Sequence, residues 1–238
     1  MKRIKIHGVI IPNDYQRVYD WLDWDATSPR KVEKELSDAD GDVTVEINSG
    51  GGSVFDGSEI YTMLKRYPHN VTVEIVGLAA SAASIIAMAG DKVVMSPTSQ
   101  MMIHNATSVS RGDYRDMDST SQLLKNANQT AVNAYKAKSG MDDKELFDLM
   151  DAETWFTPHQ ALENGLIDEI MFEESVQLSA SISGLLPQDV VMKLNKELFK
   201  KEHKKSSIGK PTNKASDFLL SKMKTKLQLL KLKGDVKQ

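Results

Sequence analysis

Ser81 and His104 are the residues whose types and settings fit nucleophilic chemistry. Ser81 lies in Val76-Gly77-Leu78-Ala79-Ala80-Ser81-Ala82-Ala83-Ser84. An apolar strand over 71–76 is expected to break at Gly77 into a small-residue helix opening around the serine. A helix start offers free N–H groups and the positive end of the helix dipole, which together stabilise an oxyanion. An imidazole within hydrogen-bond reach would then make the serine a nucleophile. His104 closes a second apolar run, Met101-Met102-Ile103. In a third segment, residues 42–48 alternate like a strand and run into Ser49-Gly50-Gly51-Gly52-Ser53, where glycine lets the backbone approach a ligand closely. The glycines are a weak signal alone. The three pieces together predict a peptide-cleaving site, with nucleophile Ser81, base His104 and oxyanion donors from the N–H groups of Gly52 and Ala82.

Each residue also has a plainer reading. Ser81 alone would be taken for a helix N-cap, and His104 for a strand histidine. Ser84, one turn later, is expected to pack in the core. His7, His69 and His203 have no comparable setting. His159 follows Thr157-Pro158, a helix-start signature that places it on an exposed first turn.

The elements that must position these residues alternate between strand and helix. Strands are expected over 2–7, 43–47, 71–76, 92–95 and 101–104, with helices over 14–24, 54–66, 81–89, 113–139 and 142–150. In the first helix Tyr15, Val18, Tyr19 and Leu22 recur at helical spacing. Such alternation argues for parallel βαβ units. The helix over 113–139 would be ~40 Å long at ~1.5 Å per residue, more than a small domain needs to cover its core. Residues 107–112 before it could form an edge strand to which an extended substrate would pair.

Four motifs occur in order: Ile47-Asn48-Ser49-Gly50-Gly51-Gly52, Gly77-Leu78-Ala79-Ala80-Ser81, Met102-Ile103-His104, and Thr157-Pro158-His159-Gln160-Ala161-Leu162-Glu163-Asn164-Gly165-Leu166-Ile167-Asp168. Their order and spacing resemble the ClpP family of serine peptidases over residues 4–172. The resemblance implies an α/β fold, the ClpP/crotonase-like superhelix of βαβ units, with a long handle helix that pairs rings of subunits. Glu153-Thr154-Trp155-Phe156 and the basic extension beyond residue 172 resemble the phage and prophage branch, whose members act as head maturation proteases. That branch implies capsid or scaffold substrates and no need for ATP or another cofactor. Only Met1 to Arg3 precede or open the first expected strand, which argues against docking to an unfoldase.

The third triad position departs from the family. Housekeeping relatives place Asp two residues before the equivalent of Phe156, where this chain has Thr154. Threonine can orient an imidazole but brings no charge to an imidazolium. Asp151 is the preferred carboxylate, with Thr154 close behind and a Ser-His dyad still open.

The chain has no Cys, so neither a disulfide framework nor a metal-thiolate site is indicated. The longest apolar run, 82–89, is too short to span a bilayer, and no signal-peptide pattern opens the chain, so a cytoplasmic protein is expected. The net charge of −3 hides a division. Residues 1–173 carry 16 Lys+Arg against 27 Asp+Glu, a net −11, whereas residues 174–238 carry 14 Lys against 6 acids, a net +8. A peptidase domain over 1–172, a linker over 173–189 and a basic, partly helical tail over 190–238 follow from this split. In 215–233 Phe218, Leu219, Leu220, Met223, Leu227 and Leu230 alternate with lysines. Such a segment suits a membrane surface or an acidic partner; without Arg or interleaved aromatics, nucleic acid is disfavoured. Docking to the capsid or scaffold is the preferred role, with a solvated tail that has no partner as the close alternative. Two rival functions remain at this level, a crotonase-like acyl-CoA enzyme and a non-catalytic shell protein of the same fold.

Overall fold

The computed structural model describes residues 1–173. The expected linker and basic tail lie outside them. Among the described residues there are eight strands: β1 (Lys2–Ile10), β2 (Ala26–Thr27), β3 (Val43–Gly52), β4 (Val71–Ala80), β5 (Lys92–Met95), β6 (Gln100–Ile103), β7 (Thr154–Phe156) and β8 (Glu169–Ile170). Between them run α1 (Gln16–Trp21), α2 (Pro29–Ser37), α3 (Val54–Arg66), α4 (Ala82–Ala87), α5 (Tyr114–Ser139), α6 (Asp143–Asp151) and α7 (Pro158–Glu163). Among the described residues no helix is long and apolar enough to cross a membrane.

The strands form one sheet in the order β2-β1-β3-β4-β5-β8, and every pairing along that path is parallel. Alternation decides which face is buried. Ile4 and Ile6 of β1, Val43, Val45 and Ile47 of β3, and Val71, Val73 and Ile75 of β4 are all essentially inaccessible. The intervening Glu46 and Glu74 stand on the other face, where both accept an ion pair from Arg3. A parallel sheet is normally covered on both sides and reads as unbroken apolar runs. Here the alternation is kept, because one face stays polar.

β4 is the branching point of the sheet. Its first half pairs with β5 through Thr72–Ile75, and its second half pairs with β6 through Leu78–Ala80. The chain therefore stays extended through Gly77, where a break had been expected. Asn48 explains this: its Oδ1 accepts the Leu78 N–H at 3.2 Å, and a Cβ on Gly77 would stand 2.5 Å from that oxygen. The missing side chain makes room for the Asn48 carboxamide, which bridges the register shift between Ile47 and Ser49. β6 continues the sheet into β7, its single antiparallel neighbour.

Two further expectations fail. The helix expected over 14–24 is a 3-10 turn, Asn13–Tyr15, followed by the short α1, and neither buries any residue. Asp23 in a left-handed conformation (φ 56°) ends it, and Tyr15, Val18 and Leu22 face outward. Residues 107–112 form no strand; just before them, the Ala106 N–H is bound by Asn128 Oδ1 of α5. By contrast, α5 runs as expected, opened by a capping box from Asp113 and Asp116 and closed by Gly140 at φ 75°. Only its last turns are buried, through Ala131, Val132, Ala134 and Tyr135.

Candidate active site

The pairing of β4 with β6 brings Ser81 and His104 together. Ala80 is in register with Met102, and the next N–H, that of Ser81, donates to the Met102 carbonyl at 3.0 Å. One residue past the end of β6, His104 turns its ring toward the serine. Its Nε2 lies 2.9 Å from Ser81 Oγ, a hydrogen-bond distance. With Nε2 accepting the hydroxyl proton, the neutral ring carries its own hydrogen on Nδ1. Both side chains are partly buried, so the pair is shielded without being closed to substrate.

Ser81 occupies a conformation few side-chain-bearing residues adopt, φ 55° and ψ −126°. The turn reverses the chain from β4 directly into α4 and leaves Oγ at its apex. All six residues of α4 are buried, which anchors the turn from behind. At the first position of α4, the Ala82 N–H has no acceptor within its own helix.

The glycine segment closes the other side, and its successive residues have different neighbours. Gly52 (φ 149°) is paired with Ile10 of β1, and a Cβ there would stand 2.2 Å from the Ile10 carbonyl oxygen. Gly51 (φ 92°) is the one that touches the nucleophile turn. A Cβ on it would lie 2.7 Å from Ser81 Cβ and 3.0 Å from the Ala82 nitrogen. Its own N–H donates to Ser49 Oγ at 3.1 Å, while that hydroxyl donates to the Gly8 carbonyl. Ser49 thus ties the glycine segment to β1. Nothing in the composition of a Gly-Gly-Gly run distinguishes these neighbours.

The candidate third residues stand apart from the histidine. Among the described residues, the Ser81 contact is the one side-chain hydrogen bond of His104. Asp151, the last residue of α6, accepts instead from Asn105 Nδ2 at 2.6 Å. Asn105 is the residue after His104, so the carboxylate holds the chain next to the base. Thr154 pairs with Ile103 across β6 and β7, and opposed residues share a face of a sheet. Its hydroxyl therefore follows Ile103 and donates to the Leu149 carbonyl at 2.6 Å. The sequence reading missed Asn105, which carries no signal beyond its place after the histidine.

A narrow crevice opens beside Ser81 and His104, walled by Val54, Ile85, Ala127, Ala131 and Tyr135. Its lining is mostly apolar, with Asn128 as a polar member. His159, on the first turn of α7, is largely exposed and faces Glu173 at 3.4 Å, remote from this chemistry. Ser84 packs in the core as expected.

Residues 32–174 match the family model described as Clp protease. Among curated proteins, the chain is similar to an ATP-dependent Clp protease proteolytic subunit of Bacteroides fragilis, 30% identical over 135 residues, covering 56% of this chain and 65% of the relative. A protein with the same description from Deinococcus radiodurans is 30% identical over 132 residues, covering 55% and 65%. The ATP-dependent Clp protease proteolytic subunit 1 of Protochlamydia amoebophila is 30% identical over 146 residues, covering 59% and 71%. The matched region thus spans somewhat under two thirds of the Bacteroides and Deinococcus relatives.

Proposed function

Because the chain belongs to the Clp protease family, we propose that it is a serine endopeptidase working through Ser81 and His104. The observation that carries this reading is the 2.9 Å contact between Ser81 Oγ and His104 Nε2 at a turn of positive φ. Ser81 Oγ attacks the carbonyl carbon of a peptide bond as its proton passes to Nε2. The carbonyl oxygen becomes an oxyanion held by the N–H groups of Gly52 and Ala82. His104 then gives its proton to the departing amine nitrogen, leaving an acyl group on Ser81. Water repeats the sequence: it loses a proton to His104, attacks the acyl carbon, and the collapsing adduct returns the proton to Ser81. Asp151 takes the third role from one residue away, holding Asn105 and with it the end of the segment that bears the base.

The substrates we assign are capsid or scaffold chains of a phage head, cleaved in the cytoplasm without ATP by rings of this subunit. Support comes from the Glu153-Thr154-Trp155-Phe156 run, the lysine-rich extension, and the exposed outer half of α5 as a surface between subunits.

A fluorophosphonate probe tests the chemistry. Wild-type protein should be labelled at Ser81 and should cleave a peptide substrate; Ser81→Ala should lose labelling and about 10⁴-fold or more of the cleavage rate. Unlabelled, inactive wild-type protein would overturn the assignment and favour a shell protein or an acyl-CoA enzyme. Co-expression with a phage capsid protein, followed by mapping of new chain termini, tests the substrate class. An intact capsid chain would remove it.

A further inference from the structure

The carbonyl oxygen of Ser81 receives three donors. Two are the backbone N–H groups of Ser84 at 3.0 Å and Ile85 at 3.3 Å, which any helix start supplies. The third is a side chain, Ser84 Oγ at 2.6 Å. Because a carbonyl can only accept, the single proton of the Ser84 hydroxyl is committed to Ser81. The same Ser84 oxygen lies 2.8 Å from the hydroxyl of Tyr135, so the Tyr135 O–H must be the donor in that contact. A relay of fixed sense therefore runs from α5 into the nucleophile turn: Tyr135 to Ser84 to the Ser81 carbonyl.

Both hydroxyls are out of reach of solvent, Ser84 at 0% and Tyr135 at 1% exposure. Burial pushes the Tyr135 phenol well above its ordinary range, so the phenol keeps the proton the relay needs. Alanine and phenylalanine would be the apolar counterparts at these positions, with no hydroxyl to satisfy. The chain instead carries two polar groups in its core, matched to each other and to one carbonyl.

What that carbonyl controls follows from peptide planarity. The Ser81–Ala82 peptide is trans, so the C=O of Ser81 and the N–H of Ala82 point in opposite directions within one rigid plane. To fix the oxygen is to fix the N–H. We infer that Ser84 and Tyr135 are positioning residues, holding the Ser81–Ala82 peptide so that the Ala82 N–H is already aimed at the forming oxyanion. The inference rests on the proposed nucleophilic role of Ser81.

The test uses the full chain with Tyr135→Phe, Ser84→Ala and the double variant. Three quantities are read: the rate of fluorophosphonate labelling at Ser81, kcat and KM for a peptide, and the affinity for a peptide boronate, whose tetrahedral adduct engages the oxyanion donors. Tyr135→Phe should slow labelling and kcat by roughly 3–10-fold and Ser84→Ala by roughly 10–100-fold, with KM unchanged. Boronate affinity should fall with kcat. The double variant should be no worse than Ser84→Ala, since the two groups act in series, and it removes the buried phenol left without an acceptor in the single variant. Labelling at the wild-type rate in folded variants would overturn the inference. So would losses that vanish when each variant is assayed well below its melting temperature. Failure of the wild type to label at all would instead remove the underlying assignment of Ser81.

Discussion

Gly51 and Ser81 are packed so closely that a β-carbon on the glycine would stand 2.7 Å from the β-carbon of the serine. The same atom would lie 2.6 Å from the Ala80 carbonyl oxygen, and the glycine φ of 92° is one that side-chain-bearing residues rarely adopt. Contact and conformation therefore act together.

Gly51→Ala should displace the Ser81 turn and lower the cleavage rate by at least about 100-fold, while costing about 1–3 kcal/mol of stability from the backbone conformation alone. Paired measurements of peptide hydrolysis and thermal melting check this. Gly50, around which a Cβ would meet nothing, serves as the control, and Gly50→Ala should leave the rate within a few-fold.

Asp151 separates a steric role from an ionic one. Asparagine there keeps an oxygen that can accept from Asn105, so Asp151→Asn should retain most activity, whereas Asp151→Ala should lose about 10-fold. A sharp loss in Asp151→Asn, with a changed pH profile, would show instead that the charge itself supports the imidazolium. Thr154→Val should be mild, costing about 1 kcal/mol for the bond to Leu149.

The outer half of α5 should govern assembly. Tyr114, Met117 and Leu123 are large, apolar and exposed on a helix that buries residues only near its far end. Replacing Met117 and Leu123 by glutamate should shift the protein toward smaller species in sedimentation while leaving its far-UV spectrum unchanged. An unchanged distribution would place the subunit contacts elsewhere.

Acid should weaken the junction of α5 with α6. Lys136 Nζ donates to Asp143 at 2.6 Å and holds its carboxyl below the ordinary range. A depressed carboxylate pKa stabilises the fold above the unfolded value of ~3.9 and loses that contribution as pH falls through the depressed one. Lys136→Met should therefore melt slightly below wild type near neutrality, and the gap should close in strong acid. The pair is exposed, so the gap should be small and should shrink in high salt.

Much of the site was legible because its parts are local in sequence. The serine turn, the histidine at a strand end and the α5 caps each depend on a few adjacent residues. The bounds of α3 and β5 followed from turn residues flanking apolar runs. What escaped was set by contacts distant along the chain. Gly77 reads as a breaker until Asn48, 29 residues earlier, is seen filling its space. The outward stripe of α1 has the same spacing as a buried one, since periodicity defines a face without saying what covers it. The helix α2 was overlooked although Ser28-Pro29 marks its start. That Thr154 stands opposite Ile103 rather than beside His104 turned on the register of β6 against β7, a quantity that two short strands do not encode separately.

The backbone at Ser81 sets stability against use. Holding φ at 55° with a side chain present costs the fold about 1–3 kcal/mol, a cost that glycine would not incur. Of two inactive variants that both lack the hydroxyl, Ser81→Gly should accordingly melt above Ser81→Ala. A descendant released from the need to cleave would find relief in a change at this one codon, and a more robust fold would be the reward for losing its chemistry. In this chain the serine stands against that gradient.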